Sequence, residues 1–256
     1  ILYTGRWLGA GCQDVVDNHK RNLIAPLEAQ GMQVLIVVAG SPEQWCSPNR
    51  TEDVTSSAQA AFLSELSSAF GPQHRVASRL FDGPDQTAVE AAVAAANASE
   101  QYTWGDRTAL DLMRSFAAQM TSLGRANSLR RTLLPAANIV VHTRFDVKFA
   151  RPVVVPTLPL RDGMVYAEHR QQEGGPLWKD FTLFLSERCL DGLAAVAQNR
   201  PIRLRQRDDT FKRCNGFCPE EQLGLQLKAM GCQFGNLTAH GVLDESKKRN
   251  CESGVA

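Results

Sequence analysis

The chain has 256 residues, of which 21% are charged, and its formal net charge is +1. This length suits one large α/β domain with its own core, and the balanced charge excludes the basic footprint of a nucleic-acid-binding protein. No apolar run reaches the roughly 18 residues that span a bilayer. We therefore expect no membrane contact by this segment itself, and any anchor or signal would lie outside it.

The first half of the chain alternates apolar strands with helices. Residues 1–3 read as a strand, and the next apolar positions recur at helical spacing until Gly31, a typical helix terminator. Residues 34–38 form a continuous apolar run, which is typical of a parallel strand buried on both faces. A helix ending at Gly71 and a strand at 75–80 follow.

Further helices are predicted at 87–96 and around 110–120, before a central strand at 139–149. In the second half, 163–168 reads as a strand, 180–185 as a strand or the start of a helix, and 186–197 as a helix. Pro219 opens a last helix that Gly231 ends. This alternation predicts an α/β fold with a mixed, mainly parallel sheet flanked by helices.

Cysteines and sequons indicate an oxidising compartment. Three Asn-x-Ser/Thr sequons begin at Asn49, Asn97 and Asn236, and such sites accept glycans in secreted proteins. Cys189 lies in a helical stretch. The other six of the seven cysteines fall in turn-like or terminal segments: Cys12, Cys46, Cys214, Cys218, Cys232 and Cys251. Disulfides suit those segments, with a connectivity that sequence leaves open, so we expect a lumenal protein of the Golgi or endoplasmic reticulum, or a secreted one.

Arg144 and Asp146 place two charges at the end of the central apolar run. Ligand chemistry in open α/β sheets gathers at the carboxyl ends of strands. On one strand the two side chains would face the same side. Arginine can hold a phosphate through two hydrogen bonds, and aspartate can hold a divalent cation. The alternative is an internal ion pair with no ligand.

Several elements occur in the order of a known family: a Thr4-Gly5-Arg6 turn after the first strand, a helix around 18–27, the valine-rich strand, the Arg144-x-Asp146 strand and a Pro219-Glu220 helix. In this order the chain resembles the GT-A-type glycosyltransferase-like proteins found in algae, their large viruses and some bacteria. The resemblance implies one GT-A-like (Rossmann-type) domain over 1–256. Residues 1–150 would form its nucleotide-binding half, and 151–256 its loop-rich acceptor side.

The resemblance implies transfer of a sugar from a nucleotide-sugar donor to a glycan or glycoprotein acceptor. Arg144 and Asp146 would stand where many GT-A enzymes have Asp-x-Asp. Because position 144 is arginine, Asp146 would be the only carboxylate of the motif to hold a divalent cation, Mn²⁺ or Mg²⁺. Arg144 would instead neutralise the donor diphosphate directly.

Other residues complete the predicted site. Gly5 and Arg6 lie in the first strand-to-helix turn, where glycine permits close approach of a nucleotide; an ordinary turn is the alternative. Asp82 follows the third strand and would meet the base or ribose. Asp180 and Glu168 are the candidates for a general base within reach of the acceptor hydroxyl.

Two other functions fit parts of the pattern. A non-catalytic secreted glycoprotein could keep the same scaffold for interaction. A sulfotransferase would need a phosphate-binding loop after the first strand, and residues 4–9 lack the lysine and the Ser/Thr expected at the start of the following helix.

Overall fold

The structure is a computed structural model that describes residues 1–4, 7, 9–41, 45, 53–81, 90, 94, 103–104, 107–156, 160–172, 175–199, 219–238 and 241–243. Its strands are β1 (Leu2–Thr4), β2 (Leu35–Gly40), β3 (Arg75–Leu80), β4 (Thr103–Trp104), β5 (Arg107–Thr108), β6 (Val140–Arg144), β7 (Val147–Phe149), β8 (Met164–Gln172), β9 (Gly175–Leu185), β10 (Gln233–Asn236) and β11 (Gly241–Leu243).

The helices are α1 (Gln13–His19), α2 (Ala25–Glu28), α3 (Ser56–Phe70), α4 (Ala109–Leu133), α5 (Glu187–Asn199) and α6 (Pro219–Ala229). A π-helical segment, Lys20–Ile24, joins α1 to α2. Among the described residues, no helix combines the length and the apolar character that a membrane span requires.

A seven-stranded mixed sheet organises the fold, in the order β10-β8-β9-β6-β1-β2-β3. Strands β6, β1, β2 and β3 pair in parallel, and β8 pairs in parallel with β10. Only β9 runs against both of its neighbours. The predicted α/β fold with a mixed, mainly parallel sheet and flanking helices is therefore confirmed.

Strand β2 shows why the continuous apolar runs form central strands. All six of its residues are buried. Val37 and Ala39 belong to the core cluster that includes apolar residues of α4, α5 and α6, whereas Ile36 and Val38 belong to the cluster that includes residues of α3. Successive side chains of a strand point to opposite faces, so a strand covered on both faces needs apolar residues at every position.

The helix ends follow ordinary capping chemistry. The Thr55 hydroxyl accepts a hydrogen bond from the Ala58 amide (3.2 Å) and so caps the start of α3. Gly71, the predicted terminator, follows the last residue of α3 with φ +89°. Because this backbone conformation strains residues that carry a Cβ, glycine ends the helix there.

The predicted central strand at 139–149 is wrong in its length, because a turn at Phe145 and Asp146 divides it into β6 and β7. The last residue of β6, Arg144, pairs with Thr4, which is also the last residue of β1. After the turn, β7 pairs with β11 instead. A change of pairing partner thus accompanies the break between β6 and β7.

The described residues contain one disulfide. Cys189, at the buried start of α5, is bonded to Cys232, just before β10. Cys12, which the sequence placed among the disulfide candidates, is buried, and its pairing stays a prediction. Cys46, Cys214, Cys218 and Cys251 lie outside the described residues.

Candidate functional site

The order of the strands reverses between β1 and β6, and we call the carboxyl ends of these two strands the crevice. From β1 the chain steps outward to β2 and then to β3, and it returns to the opposite side of β1 to form β6. Such a reversal separates the loops that leave the carboxyl ends of the two strands, and ligands of open α/β sheets bind in the gap. Thr4 and Arg144 pair across the gap at the carboxyl ends of β1 and β6.

Arg144 and Asp146 form a two-pronged ion pair at this crevice. The Nε atom of Arg144 donates to Oδ1 of Asp146 (2.8 Å), and Nη2 donates to Oδ2 (2.6 Å). The side chains are 24% and 20% exposed, so both groups reach solvent. The structure brings these two predicted residues together, but through the turn rather than along one strand. Both carboxylate oxygens of Asp146 thereby contact the arginine.

Two buried polar side chains lie beneath the ion pair. Thr4 Oγ1 is 2.9 Å from Nε2 of His142, and both residues are at most 1% exposed. Burial, and then the charge of Arg144, lower the pKa of His142 to about 3, so its imidazole is neutral at ordinary pH. Among the residues that the structure describes, Nδ1 of His142 has no hydrogen-bond partner.

Glu168, a predicted general base, ties three strands together. Its Oε2 accepts hydrogen bonds from Lys179 Nζ on β9 (3.1 Å) and from the backbone amide of Gly241 on β11 (3.1 Å). Glu168 and Lys179 are 14% and 17% exposed. Sequence reasoning missed Lys179, although a lysine within an apolar strand is a signal, because a buried charge needs a partner. To accept a proton through Oε2, Glu168 would have to exchange one of these partners.

The other predicted site residues are only partly placed. Asp180 lies in β9, two residues from Thr182, which pairs with Thr143 of β6, and its side chain is not described. Gly5, Arg6 and Asp82 lie outside the described residues. The described strand that precedes Gly5 and Arg6 in the sequence ends at Thr4, which pairs with Arg144.

Sequence reasoning also missed Glu65 on α3. Its Oε2 accepts hydrogen bonds from the indole Nε1 of Trp7 (3.2 Å) and of Trp45 (3.0 Å). Glu65 lies three residues after Phe62 and four before Ala69, both buried, so it occupies a position on the apolar stripe of the helix. An acidic residue on such a stripe is a signal that it has polar partners.

A cavity of about 810 Å³ opens at the opposite, amino-terminal edge of the sheet. Its lining is mainly apolar and includes Ile1, Leu35, Leu134, Ile139 and Val155. The one described charged residue of the lining is Arg130, which donates to Glu187 Oε1 (2.6 Å) and Asn127 Oδ1 (2.7 Å). Because its side chain is only 3% exposed, against 24% for Arg144, Arg130 is less accessible to a ligand than the arginine of the crevice.

Within the described part of the chain, no three His, Cys, Asp or Glu side chains cluster as metal ligands would. Comparison of the chain with protein-family models, with curated proteins and with solved structures found no match.

Proposed function

We propose that the protein is a nucleotide-sugar-dependent glycosyltransferase of the GT-A type, which binds its donor in the crevice between β1 and β6. The observation that carries this proposal is the position of the Arg144–Asp146 pair, at the carboxyl ends of the two strands between which the strand order reverses. The mixed sheet, in which one strand opposes the others, is compatible with the GT-A-like fold that the sequence resembles.

Arg144 supplies the chemistry that transfer from a nucleotide sugar requires. When the bond to the sugar breaks, negative charge grows on the diphosphate, and a guanidinium held in place before the reaction stabilises it. Asp146 holds Arg144 through two hydrogen bonds and so fixes its direction. A divalent cation at Asp146 would have to share its carboxylate with this arginine, so Arg144 is the primary phosphate ligand in the proposal.

The acceptor side is assigned to the β8–β9 hairpin. Its strands remain paired from His169 and Trp178 to Gln172 and Gly175, past the last β6–β9 pair at Thr143. This two-stranded ribbon continues beyond the edge of the sheet where Arg144 lies. Glu168 and Asp180, the candidate bases, belong to these two strands.

The secretory location is part of the same proposal. The Cys189–Cys232 disulfide is the kind of cross-link that persists in an oxidising compartment. Asn236, the first residue of a predicted sequon, is exposed at the end of β10. Both features support a lumenal or secreted protein.

A second candidate is a non-catalytic secreted module on the same scaffold. The contacts of the site favour it, because Arg144 and Asp146 engage each other and Glu168 engages Lys179. In such a module these pairs would be structural ties, and no donor would displace them.

Isothermal titration with a panel of nucleoside diphosphates, with and without Mn²⁺, tests the proposal. We expect binding by the wild type, and Arg144→Met should weaken it by about ten- to a hundredfold, since a hydrogen bond to a charged group contributes roughly 1.5–3 kcal/mol. Asp146→Asn should retain binding in the absence of metal. Arg131→Met is the matched control, because Arg131 also pairs with a carboxylate, that of Asp191, away from the crevice.

Failure of the wild type to bind any nucleoside diphosphate would exclude the donor site. Loss of binding in Asp146→Asn, with Arg144→Met unaffected, would transfer the phosphate-binding role from the arginine to a metal ion held by the aspartate.

A further inference from the structure

Trp7 and Trp45 extend the pairing of β1 and β2 beyond the regular sheet. They form an isolated parallel bridge, after the last residues of β1 and β2, Thr4 and Gly40. Both are at most 2% exposed. The two tryptophans therefore lie past the carboxyl ends of β1 and β2, beside the crevice.

Both tryptophans are hydrogen-bonded to the same carboxylate oxygen on α3. The indole N–H groups of Trp7 and Trp45 both donate to Oε2 of Glu65. A buried indole N–H without an acceptor is unfavourable, and bonds to an ionised acceptor are stronger than neutral ones. Glu65 thus links α3 to two chain segments that are distant from it in sequence.

Aromatic contacts continue from Trp7 to the turn that presents the ion pair. The Trp7 ring meets the ring of Phe145 edge-on, with 5.0 Å between centroids, and Phe145 stacks on Tyr3 at 4.6 Å. Phe145 is 1% exposed and stands between Arg144 and Asp146 in the chain. Any shift of Trp7 would therefore act on the turn that sets the direction of Arg144.

We propose that Glu65 is a positioning residue for the crevice: it fixes the side chains of Trp7 and Trp45, and through Trp7 and Phe145 it fixes the Arg144–Asp146 turn. This inference rests on the proposed function, because the position of the crevice matters for activity only if a ligand binds there. The network predicts that Glu65 controls ligand affinity without touching the ligand.

The test compares three variants by two measurements. Glu65→Leu removes the acceptor of both indoles, Glu65→Gln keeps an oxygen acceptor of the same shape, and Asn127→Leu is a destabilised control. Asn127 is a buried residue of α4 that contacts Arg130 and Asp191, away from the crevice. Nucleoside diphosphate affinity is measured by titration, and amide hydrogen exchange at Trp7, Trp45, Phe145 and Asp146 is measured without nucleotide.

Glu65→Leu should lose exchange protection at these four residues and bind nucleoside diphosphate about ten- to a hundredfold more weakly, because a misdirected Arg144 loses hydrogen bonds to the diphosphate. Glu65→Gln should restore both properties, and Asn127→Leu should keep both although it is less stable. If Glu65→Leu does not fold, Trp7→Phe, which removes one of the two indole donors together with part of the ring, should show the same changes to a smaller degree.

Unchanged exchange in these variants would overturn the inference, and so would unchanged affinity in a wild type that binds nucleotide. If the wild type binds no nucleoside diphosphate, the proposed function fails. The exchange measurement alone then decides whether Glu65 fixes the tryptophans and the Arg144–Asp146 turn. An equal loss of affinity in Asn127→Leu would reduce the role of Glu65 to general stability.

Discussion

Two buried histidines show how single side chains depend on their exact partners. Nε2 of His19 is 2.6 Å from the Val147 carbonyl, so this nitrogen carries the proton and donates it. Nδ1 then accepts from the hydroxyl of Tyr3 (3.0 Å). Burial lowers the pKa of His19 to about 4 and that of His142 to about 3, in the second case with help from the charge of Arg144.

Because the pKa values of both histidines are lowered, we expect the protein to lose stability in mild acid. Below about pH 6.5 each histidine is protonated in the unfolded chain but stays neutral in the folded protein, where its pKa is lower. The free energy of unfolding therefore falls as the pH falls toward 4. Each histidine contributes about 1.4 kcal/mol per pH unit in that window. Urea unfolding between pH 7 and pH 4 should give a shallower dependence for His142→Leu than for the wild type; equal slopes would show that His142 takes up a proton when folded.

Charge pairing also limits what sequence can reveal about the site. Arg144 and Asp146 were found because two charges follow an apolar run. The ion pair between them was only the alternative prediction, because a ligand site and an internal ion pair have the same sequence pattern. Glu65 was missed because its partners, Trp7 and Trp45, approach it only in the folded chain.

At the scale of elements, side chains of α1 and of the π-helical segment after it form hydrogen bonds with the backbone of β7. Asn18 donates through Nδ2 to the carbonyl of Phe149 (3.0 Å) and accepts through Oδ1 from its amide (2.8 Å). Asn22 donates to the same carbonyl (2.9 Å). These side chains satisfy backbone groups at the end of β7, as a neighbouring strand would.

Asn18→Ala should lower the free energy of unfolding by about 1–3 kcal/mol, because it leaves a partly buried backbone amide without its acceptor. Urea denaturation measures the change. Gln13→Ala, which removes an exposed hydrogen bond to Asp17 on the same helix and a long one (3.4 Å) to the Ala69 carbonyl, should cost less, because it leaves no backbone amide without an acceptor. Equal effects of the two substitutions would mean that water replaces Asn18 at β7.

Element boundaries were predicted well where they depend on neighbouring residues in the sequence. The strand at 75–80 and the helix stop at Gly71 follow from apolar pattern and backbone freedom, and both are confirmed. The break after Arg144 accompanies a change of pairing partner to β11, and β10 and β11 are too short to give a clear pattern. Such features are set by tertiary pairing, which local sequence does not show.

The Cys189–Cys232 disulfide fastens two parts of the second half of the fold. It joins the start of α5 to the residue before β10, across a separation of 43 residues. Sequence could not give this pairing, because seven cysteines allow many connectivities. By restricting the unfolded chain, a loop of this length contributes about 2–4 kcal/mol in the chain-entropy description.

The double variant Cys189→Ala/Cys232→Ala should therefore unfold at a lower urea concentration than the wild type, by about 2–4 kcal/mol in free energy. Thermal melting with and without reductant provides the control, since the variant should respond less to reductant than the wild type does. A variant as stable as the wild type would show that packing, rather than the cross-link, holds α5 against the sheet.

For the fold as a whole, the two edges of the sheet offer rival places for a ligand. The carboxyl edge holds Arg144 and Asp146, whereas the amino edge holds the cavity of about 810 Å³. A crystal structure of the wild type soaked with a nucleoside diphosphate and Mn²⁺ decides between them. We predict diphosphate density within hydrogen-bond reach of Arg144, between the ends of β1 and β6. Nucleotide bound in the cavity at the amino edge, or no nucleotide at saturating concentration, would contradict the assignment of the crevice as the donor site.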